Sequence, residues 1–357
     1  MKKIILLLIA SALFSCADKK IEQDKVDTVD TVETQTGYMT ISEDVVSNWD
    51  DVNNIDSPAF FKDGDKSYII ATSKDKDYLQ IYDAISLKEL EKIGKSGSGK
   101  SEFSRPNGIW IIDNLMLIVE RDNHRVQVFT LPDYKHVGYI GQDKLLKPYG
   151  LSVHKKGEEY TLFVTDDFES DEDKEPNIDV LDKRVKQFTF TYKSNKLESK
   201  FIKNIGEKNG DGRLFVVESI YADPENNILL ISDESNINKN IKVYDLEKGA
   251  FIKNIGSGLF KYQAEGIALY DCGNGTGYWF TTDQDKGNNT VHVFERKSQN
   301  YVTSFKTEVT QNTDGIWLTQ EPVGNANEGL FIMVHDDGGV STFSLDKLLD
   351  KLKISCN

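Results

Sequence analysis

The sequence predicts an all-β chain folded as a six-bladed β-propeller of four-stranded antiparallel blades. Three observations carry this. A short strand-head motif recurs six times, two further strand candidates follow each copy, and the copies are about forty to seventy residues apart, the length of one blade. The clearest copy is Gln263–Tyr270, followed by Gly277–Asp283 and Thr290–Arg296. The other heads are Asp56-Ser57-Pro58, Pro106-Asn107-Gly108, Pro148-Tyr149-Gly150, Val217-Glu218-Ser219 and Thr313-Asp314-Gly315.

The second runs, such as Leu115–Val119, Ile228–Ser232 and Leu330–Val334, are almost continuously apolar. The third runs alternate, as in Val126-Gln127-Val128-Phe129 and Ile241-Lys242-Val243-Tyr244. Period-two alternation of β-branched and aromatic residues is strand chemistry. In four copies a fourth strand closes on Ile-Gly, at Ile93-Gly94, Ile140-Gly141, Ile205-Gly206 and Ile255-Gly256. The third repeat is long and carries an acidic insertion, Glu169 to Glu175, read as a solvated excursion. Near the end, Leu345, Leu348, Leu349 and Leu352 have helical spacing and predict a short cap on the last blade.

Ahead of the repeats, Lys2-Lys3 and the apolar run Ile4–Phe14 make a signal segment too short to span a bilayer as a mature helix. Leu13-Phe14-Ser15-Cys16 resembles the lipobox of bacterial lipoproteins. That resemblance implies cleavage after residue 15, a lipid on Cys16, and a membrane-anchored protein of the bacterial cell envelope. From residue 16 to about 40 the chain is rich in Asp, Glu, Lys, Thr and Val, which predicts a flexible acidic tether before a single domain spanning 41–357. With Cys16 used as an anchor, Cys272 and Cys356 remain. They are an even pair that an oxidising compartment would join, or else two free buried thiols.

The 357 residues are 38% hydrophobic and carry a net charge of -15. That balance argues against a nucleic-acid partner, which needs a basic face. Gly94 to Ser101 superficially matches a phosphate-binding loop, but it follows a closing strand and precedes another, so no helix opens to cradle phosphate.

In a propeller, the residues heading each first strand and those in the turn after each second strand converge on one end of the central channel. Here the heads supply Asp56, Asn107, Tyr149, Glu218, Glu265 and Asp314. The turns supply Lys74, Arg121, Asp166-Asp167, Asp233-Glu234, Asp283-Gln284 and Asp336-Asp337. Carboxylates crowded in this way repel unless protonated or neutralised, and a hard cation bound through many oxygens, Ca2+ above all, resolves the repulsion. The five histidines are scattered and offer no zinc site.

Ala264-Glu265-Gly266-Ile267, Gly277-Tyr278-Trp279-Phe280, Val293-Phe294-Glu295-Arg296 and Thr313-Asp314-Gly315-Ile316 resemble the C-terminal half of β-propeller phytases. Asp56-Ser57-Pro58-Ala59 and Tyr149-Gly150 extend the likeness loosely through the earlier blades. The resemblance implies a Ca2+-dependent phosphomonoesterase acting on inositol phosphates, with Lys74, Arg121, Tyr149 and Glu218 as its catalytic set, and the chain is expected to be a monomer. Lys74 and Arg121 would hold phosphate, and Asp56, Glu218, Asp233, Glu265 and Asp314 would hold metal. The family pattern is broken at Ser57, at Asn107-Gly108-Ile109 and at Asp166-Asp167, where a Lys-Glu pair stands in the family. Gly97–Arg105 with Asp122–Phe129 is similar to an NHL repeat, which implies a non-catalytic binding propeller as the competing reading. A metal-assisted lactonase or esterase on the same mouth is a third.

Overall fold

The computed structural model describes residues 37–356 and contains six antiparallel sheets in chain order. Blades 1 to 4 are each built from four consecutive strands, spanning 55–93, 106–140, 148–205 and 217–255. Blade 5 runs from Gln263 to Thr307 and gains a fifth, parallel strand, Met39–Ile41, on its outer edge. Blade 6 draws three strands from 316–344 and its fourth from the start of the domain, where Val45–Val46 pairs antiparallel with Thr342 and Ser341. The strand Met39–Ile41 begins within the last two residues assigned to the tether. Residues 1–36, including Cys16, lie outside the described residues.

The gradient from apolar second strands to polar fourth strands follows from radial packing. Leu115–Glu120 and Ile228–Asp233 are buried throughout, because both faces of the sheet meet neighbouring blades. Glu89–Ile93 and Lys196–Ile205 lie at the rim and are largely exposed. Each junction between neighbouring blades has its own apolar cluster. Ile70, Leu79, Met116 and Phe129 join blades 1 and 2, and Phe60, Tyr82, Ile332 and Val340 join blades 6 and 1, so the ring closes on itself.

The helix predicted at the end is present as Leu345–Leu352, with Leu345, Leu348 and Leu349 buried in the cluster between blades 5 and 6. Cys272 and Cys356 form a disulfide with their Cα atoms 5.3 Å apart, tying the chain end to the first hairpin of blade 5. The Gly94–Ser101 stretch is a loop. It is folded onto Glu102, which accepts the Gly99 N–H at 2.9 Å, and a strand follows at Pro106.

Candidate functional site: an acidic mouth split by one lysine

The heads of the first strands share a local defect that aims their side chains. In blades 1 to 5 the register breaks between Ile55 and Pro58, Pro106 and Ile109, Pro148 and Leu151, Val217 and Ile220, and Ala264 and Ile267. The residues in these bulges include Asp56, Asn107, Tyr149, Glu218 and Glu265. A bulge turns a side chain out of the pleat, here towards the channel mouth. The next residue is Ser or Gly in all six copies because neighbouring heads nearly touch. A Cβ on Gly150 would lie 2.2 Å from the Glu218 carbonyl oxygen, and one on Gly315 would lie 2.5 Å from that of Asp56.

On the side of blades 1 and 6, Lys74 is the buried counter-ion. Its Nζ lies 2.8 Å from Asp56 Oδ1 and 3.6 Å from Asp314 Oδ2, and it donates to Tyr149 Oη at 3.4 Å. Tyr149 Oη donates to Asp56 Oδ1 at 3.3 Å, Ser57 Oγ donates to Asp56 Oδ2 at 2.9 Å, and Gln284 Nε2 donates to Asp314 Oδ1. Burial by itself would lower the Lys74 pKa, but Asp314, Asp56 and Glu218 outweigh it and hold the ammonium protonated well above its ordinary value. Burial pushes the Asp314 carboxyl up to about 8, against the pull of Lys74. Burial, then the charges of Asp56 and Glu218, raise the Tyr149 phenol and keep it a hydrogen-bond donor.

On the side of blades 4 and 5, Glu218, Glu234 and Glu265 each bring a carboxylate oxygen within 4.8 Å of the others. Burial first, then mutual repulsion, pushes the Glu218 and Glu265 carboxyls well above the usual range. Glu234 is raised by burial, and its Oε2 accepts from Gln263 Nε2 at 2.8 Å. Three carboxyls in such a triangle either share protons or take a hard cation. Among the described residues, this is the grouping of three or more His, Cys, Asp or Glu side chains with metal-ligand spacing.

Asp233 does not join this triangle. Its carboxylate is fully buried and accepts the N–H groups of Phe215 at 2.9 Å, Val216 at 3.3 Å and Ser235 at 3.2 Å, with Asn238 Nδ2 at 2.7 Å. The same role recurs around the ring. Asp166 accepts from Lys147 N–H at 2.6 Å, Asp283 from Lys261 and Tyr262 N–H at 2.8 Å, and Glu120 from Ser104 N–H at 3.2 Å. In blades 2 to 5, an acidic residue at the end of the second strand, or one before it in blade 5, therefore ties down the loop entering its own blade. The next residue, with the opposite facing, goes to the mouth. That alternation puts Glu234 where Asp233 was expected, and aligning it with Lys74 and Arg121 in the repeat is the signal that identifies it.

Arg121 occupies the equivalent turn in blade 2, but its Nε donates to Asp122 Oδ1 at 2.7 Å rather than to a carboxylate of the ring. Asn107 is fully buried between the heads of blades 1 and 3, with both amide atoms unpartnered. Asp337, outside the expected metal set, is raised by burial, and its Oδ2 accepts from Asn312 Nδ2 at 3.0 Å.

A family model described as Phytase matches residues 211–338, which spans blade 4 through the second strand of blade 6. No curated protein matches the chain. Among solved structures, the Kuenenia stuttgartiensis hydrazine synthase is similar over 86% of this chain and 81% of its own, at 12% identity and a TM-score of 0.51. A chain of a nidogen/laminin complex is similar over 76% and 92%, at 13% identity and a TM-score of 0.48. At such identities the first likeness concerns the fold alone. The phytase match over blades 4 to 6 and the six-bladed ring together fit a β-propeller phytase-like family.

Proposed function

We propose that this chain is a Ca2+-dependent phosphomonoester hydrolase, releasing phosphate from inositol hexakisphosphate or a related phosphoester. The observation that carries the reading is the Glu218–Glu234–Glu265 triangle lying within a stretch that matches the phytase family. The carboxylate geometry suits a hard, oxygen-bound cation, which when bound would supply a Lewis acid for phosphoryl oxygens and acidify water.

In this reading the chain's own residues supply the rest. Glu218 and Glu265 would hold the cation from the strand heads, and Glu234 would hold it from the turn. Lys74 and Arg121 face the substrate phosphate, Arg121 exchanging Asp122 for the phosphate oxygens with its planar fork. Tyr149 keeps its phenol proton and orients what approaches Asp56. Cys16 is proposed as the lipid anchor of a monomeric envelope protein.

The test is phosphate release by the full chain from inositol hexakisphosphate and from a simple monophosphate, with Ca2+ and then with chelator. Release that stops on chelation supports the reading. Cation binding without release from any phosphoester leaves a metal-loaded binding propeller, a reading favoured by the pairing of Arg121 with Asp122.

A further inference from the structure

Beyond the acidic heads the channel changes character, and the same repeat builds the change. Two residues after each head stands Ile109, Leu151, Ile220, Ile267 or Ile316, with Pro58 in blade 1. Together with Ile111, Leu269 and Leu318 these side chains line an axial chamber of about 320 Å³. Among the described residues, no charged side chain contributes to its wall.

The third residue after each head alternates in size around the ring. The six are Ala59, Trp110, Ser152, Tyr221, Ala268 and Trp317, so the large ones stand on blades 2, 4 and 6. Trp110 meets Tyr221 and Trp317 edge-on, each with ring centroids 5.2 Å apart. These blades are not neighbours, so the rings reach one another across the channel axis, into the room left by the small residues of blades 1, 3 and 5.

The aromatic group also carries hydrogen-bond donors. Trp49 Nε1 donates to the Asp336 carbonyl and Trp279 Nε1 to the Arg296 carbonyl, each at 3.1 Å. Trp110 Nε1, Trp317 Nε1 and Tyr221 Oη differ from these. Their residues line the chamber and are half-buried, yet none of the three atoms has a hydrogen-bond partner among the described residues, and none is sealed in by packing. An apolar wall with a few placed polar groups is the usual composition of a small-molecule site.

We propose that this chamber is a second binding site, for an uncharged, planar, two-ring aromatic molecule that carries a hydrogen-bond acceptor. A charge moved there from water would find no charged side chain to pair with. An apolar cavity of about 150 Å³ accommodates one benzene ring, so a chamber twice as large takes two fused rings. The rings of Trp110, Tyr221 and Trp317 supply aromatic contact, and their free N–H and O–H groups meet the acceptor. None of the carboxylates or cations of the mouth lines this chamber, so the site stands apart from the hydrolase reading.

The experiment titrates the full chain, with isotope-labelled indole nitrogens in its four tryptophans, with coumarin, a neutral two-ring lactone. The indole N–H signals are assigned from Trp49→Phe and Trp317→Phe. Those of Trp110 and Trp317 should move, and those of Trp49 and Trp279, already bonded to carbonyls, should stay. Coumarin-3-carboxylate, with the same rings and a charge, should bind at least about tenfold more weakly. Tyr221→Phe should weaken coumarin binding by roughly threefold to tenfold, the worth of one hydrogen bond. Leu318→Phe, which fills the chamber from a half-exposed position of the wall, should weaken it further. No movement up to the solubility of coumarin, or movement of all four signals alike, overturns the site. So does equal binding of the carboxylate, or an affinity that neither variant changes.

Discussion

The mouth has two halves that answer the same problem differently. Around Lys74, two buried carboxylates are balanced by an ammonium that the chain itself provides, 2.8 and 3.6 Å away. Around Glu218, Glu234 and Glu265, three carboxylates stand within 4.8 Å with no basic side chain among them. The first half is complete in the apo chain, and the second is complete only with protons or an added cation. A ring of carboxylates is therefore not a uniform metal site, and its stability and its chemistry sit on opposite sides.

The largest test of this contrast is Lys74→Met. It should destabilise the domain by about 3–5 kcal/mol in urea unfolding, because it strands Asp56 and Asp314 in a buried site. A loss much below that would mean the balanced half is not balanced by Lys74. Next, Asp233→Asn should cost about 1–3 kcal/mol by loosening the loop entering blade 4, while Ca2+ affinity by calorimetry stays unchanged. If affinity falls instead, Asp233 reaches the cation after all. Glu265→Gln should do the reverse, keeping the fold and weakening Ca2+ binding by at least about tenfold, roughly 1.4 kcal/mol.

The contrast should also appear in pH dependence, with no substitution needed. The raised carboxyls of Glu218, Glu265 and Asp314 bind protons in the folded state that the unfolded chain has released. Their contribution is thus fully present below the ordinary carboxylate range and is lost as pH rises through the raised values, for Asp314 at about 8. Without Ca2+, stability should decline across that window. With Ca2+ the triangle should stop contributing to the slope, and identical slopes in both conditions would argue against cation binding there.

Much of this was legible in the sequence because the blade is repeated. Six copies of a strand head fixed the blade number, and equivalence between copies brought Asp56, Tyr149, Glu218, Glu265 and Asp314 to one mouth. Repetition also showed where legibility stops. The fourth strand of blade 6 is the two-residue Val45–Val46, too short for any periodic signal and drawn from the far end of the chain. Asp233 and Glu234 are adjacent acids, and composition cannot say which of them faces the channel. Strand alternation can, once the strand end is fixed. Arg121 lies in the turn after the second strand of blade 2, but its pairing with neighbouring Asp122 depends on a rotamer that no sequence pattern gives. The insertion read as a solvated excursion is held by Asn236 and Arg213, partners about forty to sixty residues away that no local pattern links to it.

The pairing of Val45 with Thr342 spans nearly the whole domain, and it sets an order of assembly. A chain emerging from the ribosome can build blades 1 to 5 in turn, but the outer edge of blade 6 stays unpaired until the last strand, Gly339–Ser344, has appeared. Closure is then a late, long-range step of high loop entropy. A chain cut shortly before residue 339 would retain Val45–Val46 without its partner, and a chain lacking residues 37–46 would expose the Gly339–Ser344 edge to strand addition from another molecule. The two truncations should fail differently, the first as an open ring and the second as a strand-exchanged oligomer.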